Sequence, residues 1–363
     1  MLNKIKDAFQ CFDVPGDFER AVELSCGNIN DTWRITAGSG GRQLEYILQR
    51  VNTNVFRAPE AMMSNIVRVV QHHREALIIS GSSDIEQRVL NVYKTLNGSH
   101  YHIDAGGNFW RCHQFIEGTT YEAISAPEYL YGAAFAFGSF LATLDTLPCD
   151  MHETIPDFHN GRIRLAQLQE AVSEDRLGRV SAVREEVDFV FERQSVLTEI
   201  QQLIDSGRLP LRITHNDTKI SNVIFKKGSA EPLCVIDLDT VMGGSALFDF
   251  GDLVRSAANT VNEEEGDFAK ASFELERFRH IHRGYRDATA NILTEKEIEH
   301  LADGIKLITL MLVARYLSDY LRGDVYFKTR DPKHNLRRAM NHINLYRSIT
   351  GQEDAIRSII QAY

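Results

Sequence analysis

His215-Asn-Asp-Thr-Lys-Ile-Ser-Asn222 and Leu233-Cys-Val-Ile-Asp-Leu-Asp-Thr240 are the stretches from which the fold and the chemistry of this chain are predicted. Short runs at 222–225 and 233–236 are rich in apolar residues, and Lys-Lys-Gly-Ser-Ala-Glu-Pro separates them. Two such runs joined by a turn-forming segment predict a β-hairpin. Polar side chains then lie at both open ends of the hairpin: Asp217, Lys219 and Asn222 before it, Asp237 and Asp239 after it.

The spacing of three of these side chains fits phosphoryl transfer, a reaction that depends on position and charge more than on a covalent nucleophile. Asn222 follows Asp217 by five residues, and Asp237 follows it by twenty. Protein kinases place an Asp, an Asn and a second Asp in the same order with similar gaps. We expect Asp217 to orient the acceptor hydroxyl, and Asn222 and Asp237 to hold Mg²⁺ against the nucleotide phosphates, with Asp239 as the alternative metal ligand to Asp237.

At these residues the chain resembles the aminoglycoside phosphotransferase and choline kinase superfamily, and within it the N-acetylhexosamine 1-kinases. The resemblance extends more weakly over nearly the whole chain. The stretches that carry it are 215–222, 235–242, 249–252 and 315–327.

The resemblance implies an α+β, protein-kinase-like fold of two lobes. Residues 1–117 would form a small, β-rich nucleotide-binding lobe, with a hinge at about 114–121, and residues 122–363 a larger, mostly helical catalytic and substrate lobe. It also implies a kinase that uses ATP and Mg²⁺ to phosphorylate the anomeric hydroxyl of N-acetylglucosamine or N-acetylgalactosamine. Choline, homoserine or an aminoglycoside are alternative acceptors, and a nucleotide-binding module without catalysis is a third hypothesis.

The expected nucleotide contacts come from the same resemblance. A loop at 25–31 would cover the phosphates, and Arg50 stands where related kinases carry a lysine. An ordinary hairpin turn and a solvated strand end are the respective alternatives, and the carboxylate partner of Arg50 is left open between Glu60 and Glu75. The residues expected to contact the nucleotide are Gly27, Thr32, Arg50 and the hinge residues Gln114, Phe115, Ile116 and Glu117.

The acceptor pocket is expected on the helical lobe. Arg315 interrupts an apolar run and is costly to bury without a partner. Either an internal carboxylate neutralises it, or it faces the cleft and donates to sugar oxygens, with Tyr326 as its companion in the family. Lys219 would steady the transferring phosphoryl group. Asn30 and Asp31 would close the pocket from the other lobe.

Three further features have structural explanations. His215 is expected to support the loop through its ring rather than to act as a base. Asp249-Phe-Gly resembles the metal motif of protein kinases but lies 32 residues beyond Asp217, too far for the hairpin geometry. We expect Asp249 and Asp252 to brace the loop or to cap a helix beginning at Leu253, with Arg255 as a partner. Reading Asp237 as a phosphatase nucleophile would leave the His215–Asn222 stretch unexplained.

The totals are those of a globular protein of about two domains at 363 residues. A net charge of −10 argues against nucleic-acid partners and favours small molecules. Five scattered cysteines suggest a reducing cytoplasm, and the longest apolar runs are too short to cross a membrane. We expect a monomer or a weak homo-oligomer.

Periodicity and turn residues predict the remaining elements. The expected strands are 21–24, 32–36 and 43–51, in a meander, followed by 89–96 and 109–116. The expected helices are 60–79, 128–147, 165–171, 181–206, 268–291, 295–322 and 335–349.

Overall fold

The structure of the protein is a computed structural model, and it describes residues 2–24, 29–262, 264 and 267–363. Gly27, expected in the phosphate-covering loop, lies outside the described residues. Helix α1 (Leu2–Phe9) precedes a five-stranded antiparallel sheet with the spatial order β1-β2-β3-β5-β4. Its strands are β1 (Asp17–Leu24), β2 (Asp31–Ser39), β3 (Arg42–Val51), β4 (His102–Ile103) and β5 (Phe109–Gln114). The predicted meander of the first three strands is confirmed.

The two faces of this sheet have different neighbours. Trp33, Leu48 and Trp110 belong to a buried cluster that includes Phe9 of α1. Because successive side chains of a strand point to opposite faces, the residues next to them face the other way. That second face, which includes Thr32, Gln49 and Arg111, lines the large cavity of the molecule.

The segment between the sheet and the helices differs from prediction in one place. Helix α2 (Pro59–Ile79) is confirmed, and the short α3 spans Ile85–Arg88. The strand predicted at 89–96 is wrong, since only isolated bridges form there, Val92 with His113 and Thr95 with Phe12. The segment changes partners along its length, and β4 already pairs with the first half of β5, so no continuous ladder can form.

The C-terminal region is mainly helical, as predicted. Its central helix is α11, which is buried along nearly its whole length and packs against α8, α12, α5 and α7. The helices are α4 (Pro127–Leu144), α5 (Gly161–Glu174), α6 (Arg184–Phe191), α7 (Gln194–Asp205), α8 (Ala246–Ala257), α9 (Leu275–Thr289), α10 (Glu295–Glu299), α11 (Leu301–Arg322), α12 (His334–Gly351) and α13 (Glu353–Gln361).

Three predicted helices are divided or begin later in the structure. The helix expected at 181–206 consists of α6 and α7 after a short 3₁₀ turn, and that expected at 295–322 is divided into α10 and α11 at His300. The helix expected at 268–291 begins only at Leu275, because Phe273 is extended and forms a β-bridge with Asn259. The close packing expected of α4 is confirmed: a Cβ on Gly284 of α9 would lie 2.3 Å from the carbonyl oxygen of Tyr131.

The predicted hairpin is confirmed. Its strands are β7 (Val223–Phe225) and β8 (Pro232–Val235), and Val223 pairs with Val235 next to the open end. A second pair, β6 (Arg212–Thr214) with β9 (Met242–Gly244), lies directly before and after it in the chain. Within the described part of the chain, no helix has both the length and the apolar character needed to cross a membrane.

Candidate active site

The open end of the hairpin brings the predicted residues together. The backbone N–H of Ile236 donates to the carbonyl oxygen of Asn222 at 2.9 Å. Asp237 therefore directly follows a residue that is bonded to Asn222. The backbone of Asp237 has φ +62°, and that of Asn216 has φ +63°. Left-handed backbone is uncommon outside glycine, although Asn and Asp tolerate it best. Its presence on both sides of the hairpin opening indicates that the loops are held in a specific conformation.

Asp217 lies at the centre of this opening and is half-buried. Asn222 Nδ2 donates to the backbone oxygen of Asp217 at 2.9 Å and to its Oδ2 at 3.1 Å. Lys219 Nζ lies 3.0 Å from the same Oδ2. Burial is the largest single influence and would raise the pKa of Asp217, but the charge and hydrogen bond of Lys219, together with His215 and Arg255, lower the pKa overall. Asp217 is therefore an ionised carboxylate at neutral pH.

The loop that carries Asp217 is supported from beneath by His215. The ring of His215 is fully buried against the rings of Phe137 and Phe140. Its Nδ1 accepts the backbone N–H of Asp217 at 3.2 Å, and its Nε2 lies 2.9 Å from the carbonyl oxygen of Ile236. A ring that accepts at Nδ1 and donates at Nε2 joins the two ends of the hairpin. The structural role predicted for His215 is confirmed.

Asp249 supports the same loop, as predicted. Its carboxylate accepts the backbone N–H groups of His215 and Asn216 at 2.9 and 2.7 Å. Asp249 lies in the first turn of α8, which begins at Ala246; the predicted start at Leu253 is wrong because Ser245 caps the helix instead. Arg255 forms the predicted ion pair, at 2.6 Å, with Asp252.

The residues expected to hold Mg²⁺ have suitable free oxygens. Asn222 uses its amide nitrogen on Asp217, which leaves its Oδ1 as an acceptor. Among the described residues, no hydrogen bond to the carboxylate of Asp237 is found. Burial, followed by the nearby charge of Asp239, raises the pKa of Asp237 to about 7. A carboxylate left without a hydrogen bond beside a free amide oxygen fits a divalent cation that needs oxygen ligands.

The protein supplies few metal ligands here. Among the described residues, no group of three or more His, Cys, Asp or Glu side chains is placed to hold a metal ion. Mg²⁺ in nucleotide enzymes commonly uses one or two carboxylates together with phosphate oxygens and water. The set of Asn222 and Asp237 is consistent with that pattern.

Asp239, two residues beyond Asp237, is fully engaged elsewhere. Its Oδ1 lies 2.5 Å from Nη1 of Arg111 on β5, and its Oδ2 accepts from Asn30 Nδ2 at 2.7 Å. Sequence reasoning missed Arg111. The sequence signal that could have identified Arg111 is a charged residue within the strand Phe-Trp-Arg-Cys-His-Gln, whose first four residues are all buried in the structure. The same argument had identified Arg315.

The structure corrects the expectations for Arg50 and Asp31. The two residues face each other across β2 and β3, and Arg50 donates to Asp31 Oδ2 through Nε at 3.0 Å and Nη2 at 2.6 Å. Strand alternation places both on the face of the sheet that carries Leu48 and Trp110, and neither lines the cavity. The carboxylate partner of Arg50 is therefore Asp31, not Glu60 or a helix glutamate further along.

The predicted hinge lies along the cavity. Gln114, Phe115 and Ile116 line it, as does Thr32 from the sheet, whereas the side chain of Glu117 is exposed and outside the lining. The segment is attached to the hairpin by two hydrogen bonds between the backbones of Thr119 and Phe225, each 2.9 Å.

Arg315, which was expected in the acceptor pocket, lines the cavity from α11. Its guanidinium stands over the rings of Phe158, Tyr326 and Phe327, at 5.1, 5.5 and 5.3 Å from their centroids. Its Nη2 is 3.4 Å from the hydroxyl of Tyr326. No carboxylate pairs with Arg315 in the described part of the chain, so the alternative of an internal carboxylate partner is not found there. Asp319 fixes the loop, accepting the backbone N–H of Tyr326 at 2.8 Å.

His159 follows Phe158, which packs against Arg315, and it contacts the loop of Asp217; this residue was not predicted. Its Nε2 lies 2.9 Å from the carbonyl oxygen of Asn216, and burial lowers its pKa to about 3. The ring is therefore neutral, and it donates to Asn216 from Nε2. A histidine next to Phe158 in a loop offered no sequence signal for this position.

One cavity of about 950 Å³ is lined by residues of the sheet, of the hairpin opening and of α11. The predicted residues that line it are Thr32, Gln114, Phe115, Ile116, Asp217, Lys219, Asn222, Asp237, Arg315 and Tyr326. The predicted residues that do not are Asp31, Arg50 and Glu117.

Comparisons with known proteins agree with this architecture. Residues 20–286 match the Phosphotransferase enzyme family. An aminoglycoside phosphotransferase from Alicyclobacillus acidocaldarius is similar in structure, with a TM-score of 0.63 and 13% identity, covering 98% of this chain and 96% of the other. A choline/ethanolamine kinase family protein from Mesorhizobium loti gives a TM-score of 0.57 and 16% identity, covering 95% and 92%. A choline kinase from Cryptosporidium parvum gives 0.55 and 12%, also covering 95% and 92%.

These structural likenesses concern the fold: a β-rich N-terminal sheet and a helical C-terminal region, as in protein kinases. The family match extends over well more than half of the sequence, from β1 to α9. The chain therefore belongs to the Phosphotransferase enzyme family.

Proposed function

We propose that the protein is an ATP- and Mg²⁺-dependent kinase that phosphorylates the anomeric hydroxyl of N-acetylglucosamine or N-acetylgalactosamine. The observation that carries the kinase assignment is the ionised Asp217 bonded to Asn222 and Lys219, next to the carboxylate of Asp237. Phosphoryl transfer requires a carboxylate that orients the acceptor hydroxyl, a cation that stabilises the transferring phosphoryl group, and oxygens that bind the metal ion.

Asp217 would accept a hydrogen bond from the acceptor hydroxyl and align its oxygen with the γ-phosphorus. Lowering the pKa of Asp217 makes it a weak base. An anomeric hydroxyl is more acidic than an ordinary alcohol, so orientation by a weak base is sufficient for this acceptor.

Lys219 would stabilise the charge of the transferring phosphoryl group. Burial alone would lower the pKa of Lys219, but Asp217 and Asp237 raise it, so the ammonium stays charged. Asn222 Oδ1 and Asp237 would hold Mg²⁺, which neutralises phosphate charge when it is bound.

Arg315 supports a neutral, hydroxyl-rich acceptor. A guanidinium among three aromatic rings repels choline, ethanolamine or an aminoglycoside, whose recognition uses acidic or aromatic sites without a competing cation. The same group donates well to sugar and amide oxygens, and aromatic rings pack against the apolar faces of a pyranose.

The test is a transfer assay with ATP and a panel of acceptors: N-acetylglucosamine, N-acetylgalactosamine, glucose, choline, homoserine and kanamycin. We expect turnover with the N-acetylhexosamines, and an NMR spectrum in which phosphorus couples to the anomeric carbon of the product. Phosphate on another carbon, or faster turnover of choline or kanamycin, would refute the proposed acceptor. The absence of ATP-dependent phosphate transfer to every acceptor in the panel would refute the kinase assignment.

Asp217→Asn tests the mechanism. Because the amide cannot accept a proton and loses the charge that holds Lys219, we expect kcat to fall by about 10²–10⁴-fold. The affinity for the sugar should change much less. Asp267→Asn, a surface substitution whose carboxylate pairs with Lys270, is the control. Retention of more than a tenth of the activity in Asp217→Asn would contradict the assigned role.

Arg315→Ala tests the acceptor site. Removing one hydrogen-bonding cation should raise KM for the sugar about tenfold, equivalent to ~1.4 kcal/mol, with little effect on KM for ATP. Arg322→Ala is a matched control, since Arg322 lies on the same helix but pairs with Glu170. An equal rise of KM in both variants would show a general effect on α11 rather than an acceptor contact.

A further inference from the structure

Arg111 is a charged residue buried in the sheet of the N-terminal region. It is 5% exposed and lies on β5 opposite Gln49 of β3, on the face that lines the cavity. Isolated buried charges are strongly unfavourable, so such a group is retained only with partners. Arg111 has two: its Nε donates to Gln49 Oε1 at 2.9 Å and its Nη1 to Asp239 Oδ1 at 2.5 Å.

The position where a phosphate-binding cation was expected carries none. Arg50 points to the opposite face of the sheet, and the neighbouring residue that faces the cavity is the neutral Gln49. His113 also lines the cavity, but burial lowers its pKa to about 4 and keeps it neutral. Among the described residues of β1 to β5, Arg111 is the only lysine or arginine in the cavity lining.

Helix α2 does not supply a carboxylate to this part of the sheet. Glu60 and Glu75 are both exposed, and neither lines the cavity. The partner comes instead from the segment that follows the hairpin. Asp239 lies two residues beyond Asp237, and Asn30 holds its second oxygen at 2.7 Å. The ion pair therefore joins the sheet directly to the expected metal site.

The geometry of Arg111 leaves donors for a ligand. A guanidinium has five N–H groups in a planar fork. Within the described chain, Nε and one Nη1 donor are used, and no hydrogen bond from Nη2 is found. Arg111 is also near enough to Asp237 to be one of the charges acting on it. A planar cation with free donors beside metal-binding oxygens is suited to phosphate.

We propose that Arg111 is the cation of the N-terminal sheet that binds the nucleotide phosphates, and that Asp239 is its positioning residue rather than a metal ligand. This inference rests on the proposed function. It assigns to a strand arginine and a carboxylate after the hairpin the task that a strand lysine and a helix glutamate perform in protein kinases.

The test compares the binding of adenosine, AMP and ADP with Mg²⁺ by calorimetry. In the wild type, ADP should bind at least tenfold more tightly than adenosine. In Arg111→Gln/Asp239→Asn, which removes both charges and leaves neither unpaired, that preference should disappear while adenosine affinity stays within about twofold. Arg111→Lys keeps the charge, but a lysine cannot contact Gln49 and Asp239 and also reach a phosphate. This variant should therefore bind ADP several-fold more weakly.

Arg50→Gln is the matched control, because Arg50 lies in the same sheet and also pairs with an aspartate, but on the other face. It should bind ADP as the wild type does. An unchanged ADP preference in both Arg111 variants would overturn this inference and leave the proposed kinase intact. An equal loss of adenosine and ADP would show a structural role and overturn it as well. A wild-type protein that binds no adenine nucleotide would overturn both proposals.

Discussion

At the scale of single residues, Asp237 and Asp239 differ in environment although two positions separate them. Asp239 is buried and both of its oxygens are bonded, to Arg111 and Asn30. Asp237 has no such bond among the described residues, and its pKa is raised to about 7. The first arrangement fixes a side chain, whereas the second leaves an oxygen site that a cation would stabilise. The sequence Asp-Leu-Asp does not distinguish them.

Asp237→Asn should stabilise the metal-free protein at alkaline pH. Because the pKa of Asp237 is raised in the folded protein, the folded state binds the proton more tightly than the unfolded state, and stability is lost as pH rises from about 4 to about 7. Removing the charge should restore about 1–2 kcal/mol at pH 8, after allowance for solvent screening, and nothing at pH 4. Urea denaturation with EDTA at both pH values measures this.

Asp239→Asn is the matched comparison. It leaves the Arg111 guanidinium buried without its charge partner, so we expect a loss of about 3 kcal/mol at pH 8. A destabilised Asp237→Asn, or two variants that behave alike, would contradict the different environments assigned to the two carboxylates.

The residue scale is also where sequence reasoning failed. A strand position fixes which face a side chain occupies, and a shift of one residue exchanges the faces. Arg50 was assigned to the cleft from its place in a motif, but the register of β3 puts Gln49 there. Arg111 was missed because its partner, Asp239, is 128 positions away in the chain.

At the scale of elements, local patterns were sufficient for the hairpin and most helices. Turn residues between two apolar runs predicted β7 and β8, and both form. The strand predicted at 89–96 failed because pairing there depends on which edge of β5 is free. Helix boundaries failed where tertiary contacts decide them, as at Phe273, which pairs with Asn259 instead of extending α9.

Gly118→Ala should separate the hinge from the hairpin. A Cβ on Gly118 would lie 2.4 Å from Ile224 Cγ2 and 2.5 Å from the carbonyl oxygen of Phe225, so the Thr119–Phe225 backbone pair must move. We expect a destabilisation of about 1–3 kcal/mol and weaker adenosine binding. Thermal denaturation and calorimetry measure the two effects.

Gly351→Ala is the control for that substitution. The space around Gly351 is open, with no heavy atom within 4 Å of an added Cβ, and the residue ends α12. It should be neutral or slightly stabilising, because alanine is a better helix former than glycine. A Gly118→Ala protein as stable as Gly351→Ala would show that the hinge does not depend on this contact.

At the scale of the whole molecule, three distant parts of the chain meet in one cavity. The sheet contributes Arg111, the hairpin Asp217 and Asp237, and α11 Arg315. The family resemblance that the hairpin motif carries implied a β-rich part and a helical part on either side of this cavity. The contact between the sheet and the segment after the hairpin, through Arg111 and Asp239, joins residues 128 positions apart, so the local signal at Arg111 did not identify its partner. This long-range ion pair holds the sheet face that we propose for the nucleotide next to the proposed metal ligand Asp237.

The central claim is that Asn222 and Asp237 hold one metal ion beside Asp217. Electron paramagnetic resonance of Mn²⁺ in the presence of ADP measures this directly, with wild type, Asn222→Ala, Asp237→Asn and Asp217→Asn compared. We predict that Asn222→Ala and Asp237→Asn lose at least tenfold in Mn²⁺ affinity. Asp217→Asn should bind Mn²⁺ as the wild type does, although its kcat with ATP is lowered by about 10²–10⁴-fold. Wild-type Mn²⁺ affinity in Asp237→Asn would contradict the claim.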